Sequence, residues 1–403
     1  MSGSEITASI PLWRDLRAVA LLMVGTLKIM ANATISPALA GLAASFAATA
    51  HAGLLTRLLV PAPSLSVILL APVAGLLADR FGRRPLLLSG IVLFVLAGTS
   101  GLYLPDLPSI LGSRLVLGVA VAVVTTAQTA LIGDYFYGDR RSTFLSWQVA
   151  ATNFGGFFFI VLAGMLAGVS PRLPFTVYGL AALCLPVAWI AVTREPIRAA
   201  HASRPQDRPE AGRDRWGLGI SGVTALTLAT VMLFFMMPTQ LPFFTESLGL
   251  DSASWTATAL GTLTLTGGFV ALAHSRILAT LGLALTYALG YALMALGFGL
   301  LSAGTASQLL VPATASIGGG YALVMPNFII QALRAAPAWR RGFVSGIITT
   351  GMFSGQLISP LVSTPIAQSV GFGETFAGTC LILAVMAAAA LLVSLAGRRG
   401  RAV

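Results

Sequence analysis

The chain alternates long apolar runs with short, polar, arginine-bearing breaks. Apolar runs lie near 17–40, 52–78, 85–104, 108–133, 143–168 and 172–193. After a polar Arg- and Pro-rich segment at 194–216, further runs lie near 217–245, 252–274, 279–302, 306–333, 342–368 and 372–396. A bilayer core about 30 Å thick needs roughly 20 helical residues to cross, so each run predicts one span. The pattern predicts an all-α membrane protein of twelve transmembrane helices. Only 9% of the 403 residues are charged, against about 25% in a soluble domain. The first run, opening after Arg17, is long enough to span and reads as a helix rather than a cleavable signal.

Charge orients the spans. The net charge of +11 sits in short breaks between runs, a topology signal rather than a nucleic-acid surface. With the N-terminus inside, 20 of the 24 cations fall on the cytoplasmic side, leaving Lys28, Arg57, Arg114 and Arg172. Both termini are therefore expected in the cytoplasm. The preference for Arg over Lys suggests a bacterial source, and hence an inner (plasma) membrane location. Cys184 and Cys380 sit inside apolar runs and read as small core residues.

The chain also repeats itself. A shift of 200 residues lays Arg140-Arg141 on Arg340-Arg341, Gly118 on Gly318 and Gly155 on Gly355. Two six-helix bundles are expected, 1–193 and 217–403, joined by a cytoplasmic linker at 194–216. Parallel repeats of this kind are a transporter architecture, with the solute held near mid-membrane between the halves.

The stretch Gly75-Leu-Leu-Ala-Asp79-Arg80-Phe-Gly82-Arg83-Arg84 closes the second run. Its Gly82 permits a tight turn. Through this stretch, and through Arg114-x-x-x-Gly118-x-x-x-Ala122 and the junction ending at Arg141, the chain resembles the major facilitator superfamily, in its drug-efflux-like branch. The resemblance implies two pseudo-symmetric six-helix bundles and alternating-access transport. It also implies a conformational latch of Gly75, Asp79, Arg80, Gly82 and Arg84 with Asp134, and a coupling or binding role for Arg114. In the second half the loop signature is reduced to Ala-His274-Ser-Arg276, and the fifth span lacks the Gly-Pro pair of the family's antiporters.

Several intramembrane residues carry candidate chemistry. Lys28 lies about eleven residues into the first span, where a charge is costly unless it faces protein or water. Unlike arginine, lysine can release its proton when desolvated, so it can bind an anion, titrate, or do both. Asn32 shares its face at i+4. No Asp or Glu falls in mid-span, so a cavity holding Lys28 and Arg114 would be positive and favour anionic or zwitterionic solutes. Pro238 and Pro242 predict a bent seventh span. Met232 and Met236 share a face there; thioethers suit Cu(I), but a soft apolar lining for an amphipathic solute is preferred. Gln128, Gln240, Asn327, Gln331 and Gln356 are further candidate cavity residues. His51, His201 and His274 are placed at loops or span ends and given no role.

The expected function is secondary transport of a small organic solute, amphipathic and in one reading anionic, by proton-coupled efflux. Uptake of an organic anion, or of a metal or metal complex, is the alternative; a non-transporting receptor is more remote, because no loop is large enough for a signalling domain. With no nucleophile–base set and no metal cluster, no enzyme, catalytic residue, metal site or cofactor is expected beyond a proton gradient. The expected partners are the bilayer, the solute and protons, with a monomeric chain.

Overall fold

The structure, a computed structural model, describes residues 11–192, 216–303, 307–335 and 341–399. Twelve helical rods follow in order: α1 (Leu16–Ser45), α2 (Ala52–Leu58, then Ala62–Phe81), α3 (Arg83–Leu102) and α4 (Leu107–Tyr135). Next come α5 (Gly138–Val169), α6 (Leu173–Ala191), α7 (Trp216–Phe234, then Met236–Ser247) and α8 (Ser252–Leu281). The last four are α9 (Leu283–Ser302), α10 (Leu310–Ala335), α11 (Arg341–Val370) and α12 (Phe372–Arg399). Ten rods are long and apolar enough to cross a membrane, and the two pieces of α2, bent by 48°, make an eleventh. The twelfth, α11, has 30 residues but is rich in Ser, Thr, Gly and Gln and carries Pro360 and Pro365. The expected linker falls outside the described residues except for Trp216, which opens α7.

Rods that alternate in direction put the start of α1 and the end of α12 on one face, called proximal here; the opposite face is distal. Helix starts are capped by carboxylates: Asp15 accepts from Arg17 N at 3.1 Å and Asp106 from Ser109 N at 2.8 Å. Such caps satisfy backbone donors that the helix cannot. Helix α7 is interrupted at Phe235, close to where Pro238, lacking an N–H, cannot bond the carbonyl four residues back. The carbonyl of Pro242, one turn further on, takes the Ser252 hydroxyl at 2.6 Å.

The 200-residue repeat is visible as packing. A Cβ on Gly118 would strike the carbonyl of Pro63, and one on Gly318 the carbonyl of Leu263. Gly90 seats on Val124, and Gly290 on Val324. Small residues let helices approach closely where lipid offers no hydrophobic drive. Gly82 (φ 88°, ψ 150°) joins α2 to α3, and Gly282 (φ 76°, ψ 172°) joins α8 to α9 in the same conformation. This corrects the expected boundary of the eighth span. Helix α8 runs through Ala-His274-Ser-Arg276 to Leu281 because no residue there favours positive φ; the turn needs Gly282. His274 is thus a buried span residue rather than a loop residue.

One apolar cluster fills α1–α6, around Leu21, Phe94 and Leu117, and another fills α7–α12, around Met237, Tyr291 and Phe328. A third joins the halves at the distal face, where Ile35, Leu39, Leu59 and Ile110 meet Val231, Phe235 and Phe243.

Candidate functional site

Between the two halves, α1 faces α11. Phe353 and Gln356, three residues apart on α11, share a face and both reach α1. The Lys28 ammonium lies 5.6 Å from the centre of the Phe353 ring. One turn further along α1, Asn32 donates to Gln356 Oε1 at 3.3 Å, and Ser64 of α2 donates to the same oxygen at 2.6 Å. Gln356, 324 positions on from Asn32, thus joins Lys28 and Asn32 in one cluster, to which Ser64 and Phe353 are additions. Lys28 is only partly buried, and among the described residues no carboxylate pairs with it. Every described Asp and Glu sits at a helix end, as the sequence suggests. A lysine so placed offers an accessible positive charge beside an aromatic face and amide groups, a combination suited to an anionic group on a partly apolar solute.

Toward the distal face the halves are sealed by Arg57, to which the sequence assigns no role. Its Nε donates to Gln240 Oε1 at 2.9 Å, its Nη1 to the Gly53 carbonyl at 2.8 Å, and its guanidinium lies 3.5 Å from the centre of the Phe243 ring. The Gln240 amide in turn donates to Ser363 and Thr364 of α11 at 2.8 and 2.9 Å. Glu246 lies close enough to Arg57 to act on it electrostatically. Gln240, expected to line a cavity, is completely buried in this seal instead.

Arg114 does not share a surface with Lys28. It is 0% exposed, inside the first half, with its guanidinium 4.7 Å from the Phe175 ring centre and 4.5 Å from that of Tyr178. The physical reason lies in α3: Gly98 and Gly101 have no side chains, so both α6 rings press in against them and enclose the arginine. The expected positive cavity therefore rests on Lys28.

The remaining candidates are dispersed. Gln128 donates to the Leu21 carbonyl at 2.6 Å and ties α4 to α1. Asn327 meets His274 at 3.2 Å, and Gln331 accepts from the Tyr287 hydroxyl at 3.2 Å, both within the second half. Because the Asn327 amide nitrogen donates to the Leu323 carbonyl, its oxygen faces His274 and takes that ring's N–H. Met232 and Met236 do line a cavity, of about 180 Å³, with Ser359, Ser363, Thr379 and Glu374; it opens between α7, α11 and α12.

At the proximal face Asp134 pairs with Arg83, which also donates to the Ala130 carbonyl at 3.2 Å. A second pair, Asp15–Arg140 at 2.7 Å, ties α1 to α5. Arg84 donates to the Trp189 carbonyl at 2.8 Å, holding α3 to α6, and Arg80 lies exposed 5.5 Å from the Phe81 ring centre. The surroundings of Gly75 and the side chain of Asp79 lie outside the described residues. Asp134 is therefore joined to the signature stretch through Arg83, which the sequence reading did not single out for the latch.

The family model described as Major Facilitator Superfamily matches residues 21–360. The chain is 27% identical over 314 residues to the class C tetracycline resistance protein of Escherichia coli, covering 75% of this chain and 77% of that protein. It is 24% identical over 153 residues to the quinolone resistance protein NorA of Staphylococcus aureus, covering 38% of this chain and only 39% of that relative. Among solved structures, a D-xylose-proton symporter superposes with a TM-score of 0.73 at 16% identity, over 91% of this chain and 96% of that one.

Proposed function

Because the chain belongs to the Major Facilitator Superfamily, a family of transporters rather than enzymes, we propose that it exports a small anionic or zwitterionic amphipathic solute by alternating access, driven by protons. The observation that carries this reading is Lys28: an accessible ammonium between the halves, beside Phe353 and the Asn32–Gln356–Ser64 cluster, with no described carboxylate to neutralise it. The resistance proteins among its relatives support export over uptake. The proximal face is taken as cytoplasmic, in a bacterial inner membrane, since the arginine-rich ends of the spans lie there. In this reading the structure has its distal side closed and the solute enters from the proximal side.

Lys28 can serve both as anion ligand and as proton carrier, and two substitutions separate these roles. Arginine stays charged at any working pH, whereas lysine can release its proton in an apolar setting. The test is flux in vesicles of purified protein under pH gradients of both signs, with organic anions and cationic dyes as probes. Lys28→Ala should lower anion flux by about tenfold or more, the loss expected for one charge-assisted contact. Lys28→Arg should retain solute binding but lose the dependence on the pH gradient. Flux by Lys28→Ala equal to wild type, or transport of cationic dyes alone, would overturn the assignment.

A further inference from the structure

The cavity between α7, α11 and α12 adjoins the distal seal and lies apart from the Lys28 cluster. Four hydroxyls line it, and each is engaged with the protein. Ser359 donates to the Met232 carbonyl at 2.7 Å, and Thr375 to the Gly371 carbonyl at 2.6 Å. Thr379 donates to the Thr375 carbonyl at 2.9 Å, and Ser363 accepts from the Gln240 amide at 2.8 Å. The rest of the wall is chiefly Met232, Met236, Val362, Ile366 and Ile382. Such a wall offers an occupant apolar contact and few hydrogen bonds, which suits hydrocarbon.

The groove is long and narrow. From Glu374 to Ile382 it follows α12 for about 12 Å. Its volume of about 180 Å³ is below the roughly 300 Å³ at which small-molecule pockets begin, and spread over that length it is one hydrocarbon chain wide. Val362, Ile366 and Ile382 at its edge are 41, 44 and 51% exposed, so it opens toward lipid tails. A Cβ added at Gly378, on its α12 wall, would meet no atom within 4 Å. At the distal end sits Glu374, in the first turn of α12. It is exposed, and it is the one charged residue of the lining. Among the described residues no cation pairs with it.

We propose that this groove binds one acyl chain of a distal-leaflet lipid whose headgroup carries an ammonium, held by the Glu374 carboxylate. Membrane hydrocarbon is already dry, so the chain alone selects little between lipids, and the carboxylate at headgroup level does the selecting. The site also bears on alternating access. Met232 lies before and Met236 after the interruption of α7 at Phe235. Ser363 accepts from the same Gln240 amide group that holds Arg57. The groove keeps this shape only while α7 and α11 keep their distal-closed contacts, so a lipid bound there favours that state.

The test uses full-length purified protein, freed of lipid in detergent, with phosphatidylethanolamine and phosphatidylglycerol of the same chains as probes. A ligand that binds only the folded state raises the melting temperature in a saturable way. The ethanolamine lipid should do so with a midpoint about threefold lower than the glycerol lipid, the effect of one exposed ion pair. Glu374→Gln should erase that difference. Gly378→Leu, which fills the groove, should remove the saturable response, and Lys28→Ala should change neither. In vesicles, a cysteine at Gly53 in a cysteine-free background should react about threefold more slowly with a distal maleimide when the lipid is the ethanolamine one. If Gly378→Leu does not fold, the Glu374→Gln comparison and the labelling decide. Equal midpoints in the wild type, a difference that survives Glu374→Gln, or a response that survives Gly378→Leu would overturn the proposal, as would labelling that ignores the lipid. A stronger response to phosphatidylglycerol would overturn it in favour of the arginine-rich proximal face. A response lost in Lys28→Ala would do so in favour of the solute site, and lipid-free dimers that Gly378→Leu dissociates in favour of a second copy of the chain.

Discussion

At Gln240 a single amide satisfies three groups: its oxygen takes the Arg57 N–H, and its nitrogen serves Ser363 and Thr364. Removing the amide leaves a buried guanidinium edge without its acceptor across the seal, at a cost of about 1–3 kcal/mol to the distal-closed state. Each 1.4 kcal/mol changes a population ratio about tenfold. In a cysteine-free background, a cysteine at Gly53 should therefore react roughly tenfold faster in Gln240→Ala with a maleimide applied to the distal side. Gln240→Glu, which turns the contact into a charge-assisted one, should slow the reaction. Equal labelling of all three proteins would show that the amide does not hold the seal. The sequence revealed Gln240 as polar and intramembrane but not this role, because its partner lies 183 positions away. Arg57 was opaque for a related reason: an arginine near the end of a run looks the same whether it snorkels to water or is buried against another helix. Lys28 was legible because depth alone marks a mid-span charge.

Helices were more legible than contacts. The apolar runs locate all twelve rods, since span length follows from bilayer thickness. They fail where polarity and backbone geometry diverge. Around His274 the run thins, yet the helix continues to Leu281, because only Gly282 can adopt the positive φ of the turn. The 200-residue repeat, visible in sequence as matched glycines, also predicts matched packing. Valine at Gly118 or Gly318 must displace a backbone carbonyl, of Pro63 or Leu263 respectively. Overpacking of this kind costs about 1–3 kcal/mol. Both variants should lower the melting temperature in detergent by similar amounts, while Gly112→Ala on the same helix, with no atom within 4 Å of its added methyl, should not. Tolerance of Gly118→Val alongside loss of Gly318→Val would break the equivalence of the two halves.

At the scale of the whole molecule, alternating access requires the halves to move against each other without coming apart. Two seams join them. One is the contact of α1 and α2 with α7 and α11, where the polar bonds of Arg57 and Gln240 sit beside the apolar residues that join the halves. The other is α5 against α8, and glycines set its spacing: a Cβ on Gly164 would strike Ala257, one on Gly261 would lie 3.2 Å from Val161 and 3.4 Å from Phe157, and one on Gly268 3.2 Å from Asn153. Beside it, Phe154 and Phe269 make an edge contact at 5.4 Å. A polar seam has discrete arrangements, made or broken, whereas a seam of small side chains can slide with little change in energy. The second is therefore suited to be the axis and the first the catch. Gly261→Leu tests this division. The leucine would wedge Val161 and Phe157 apart, and if its cost of about 1–3 kcal/mol falls on one state, flux in vesicles drops roughly tenfold. The side chains that a residue at Gly261 would meet belong to α5 of the other half, so each half should still fold and the melting temperature should fall less than in Gly118→Val. Flux at the wild-type level would show that α5 and α8 do not form the axis, and would move the hinge to the α2–α11 seam, where Gln240→Ala then becomes the variant that changes flux as well as accessibility.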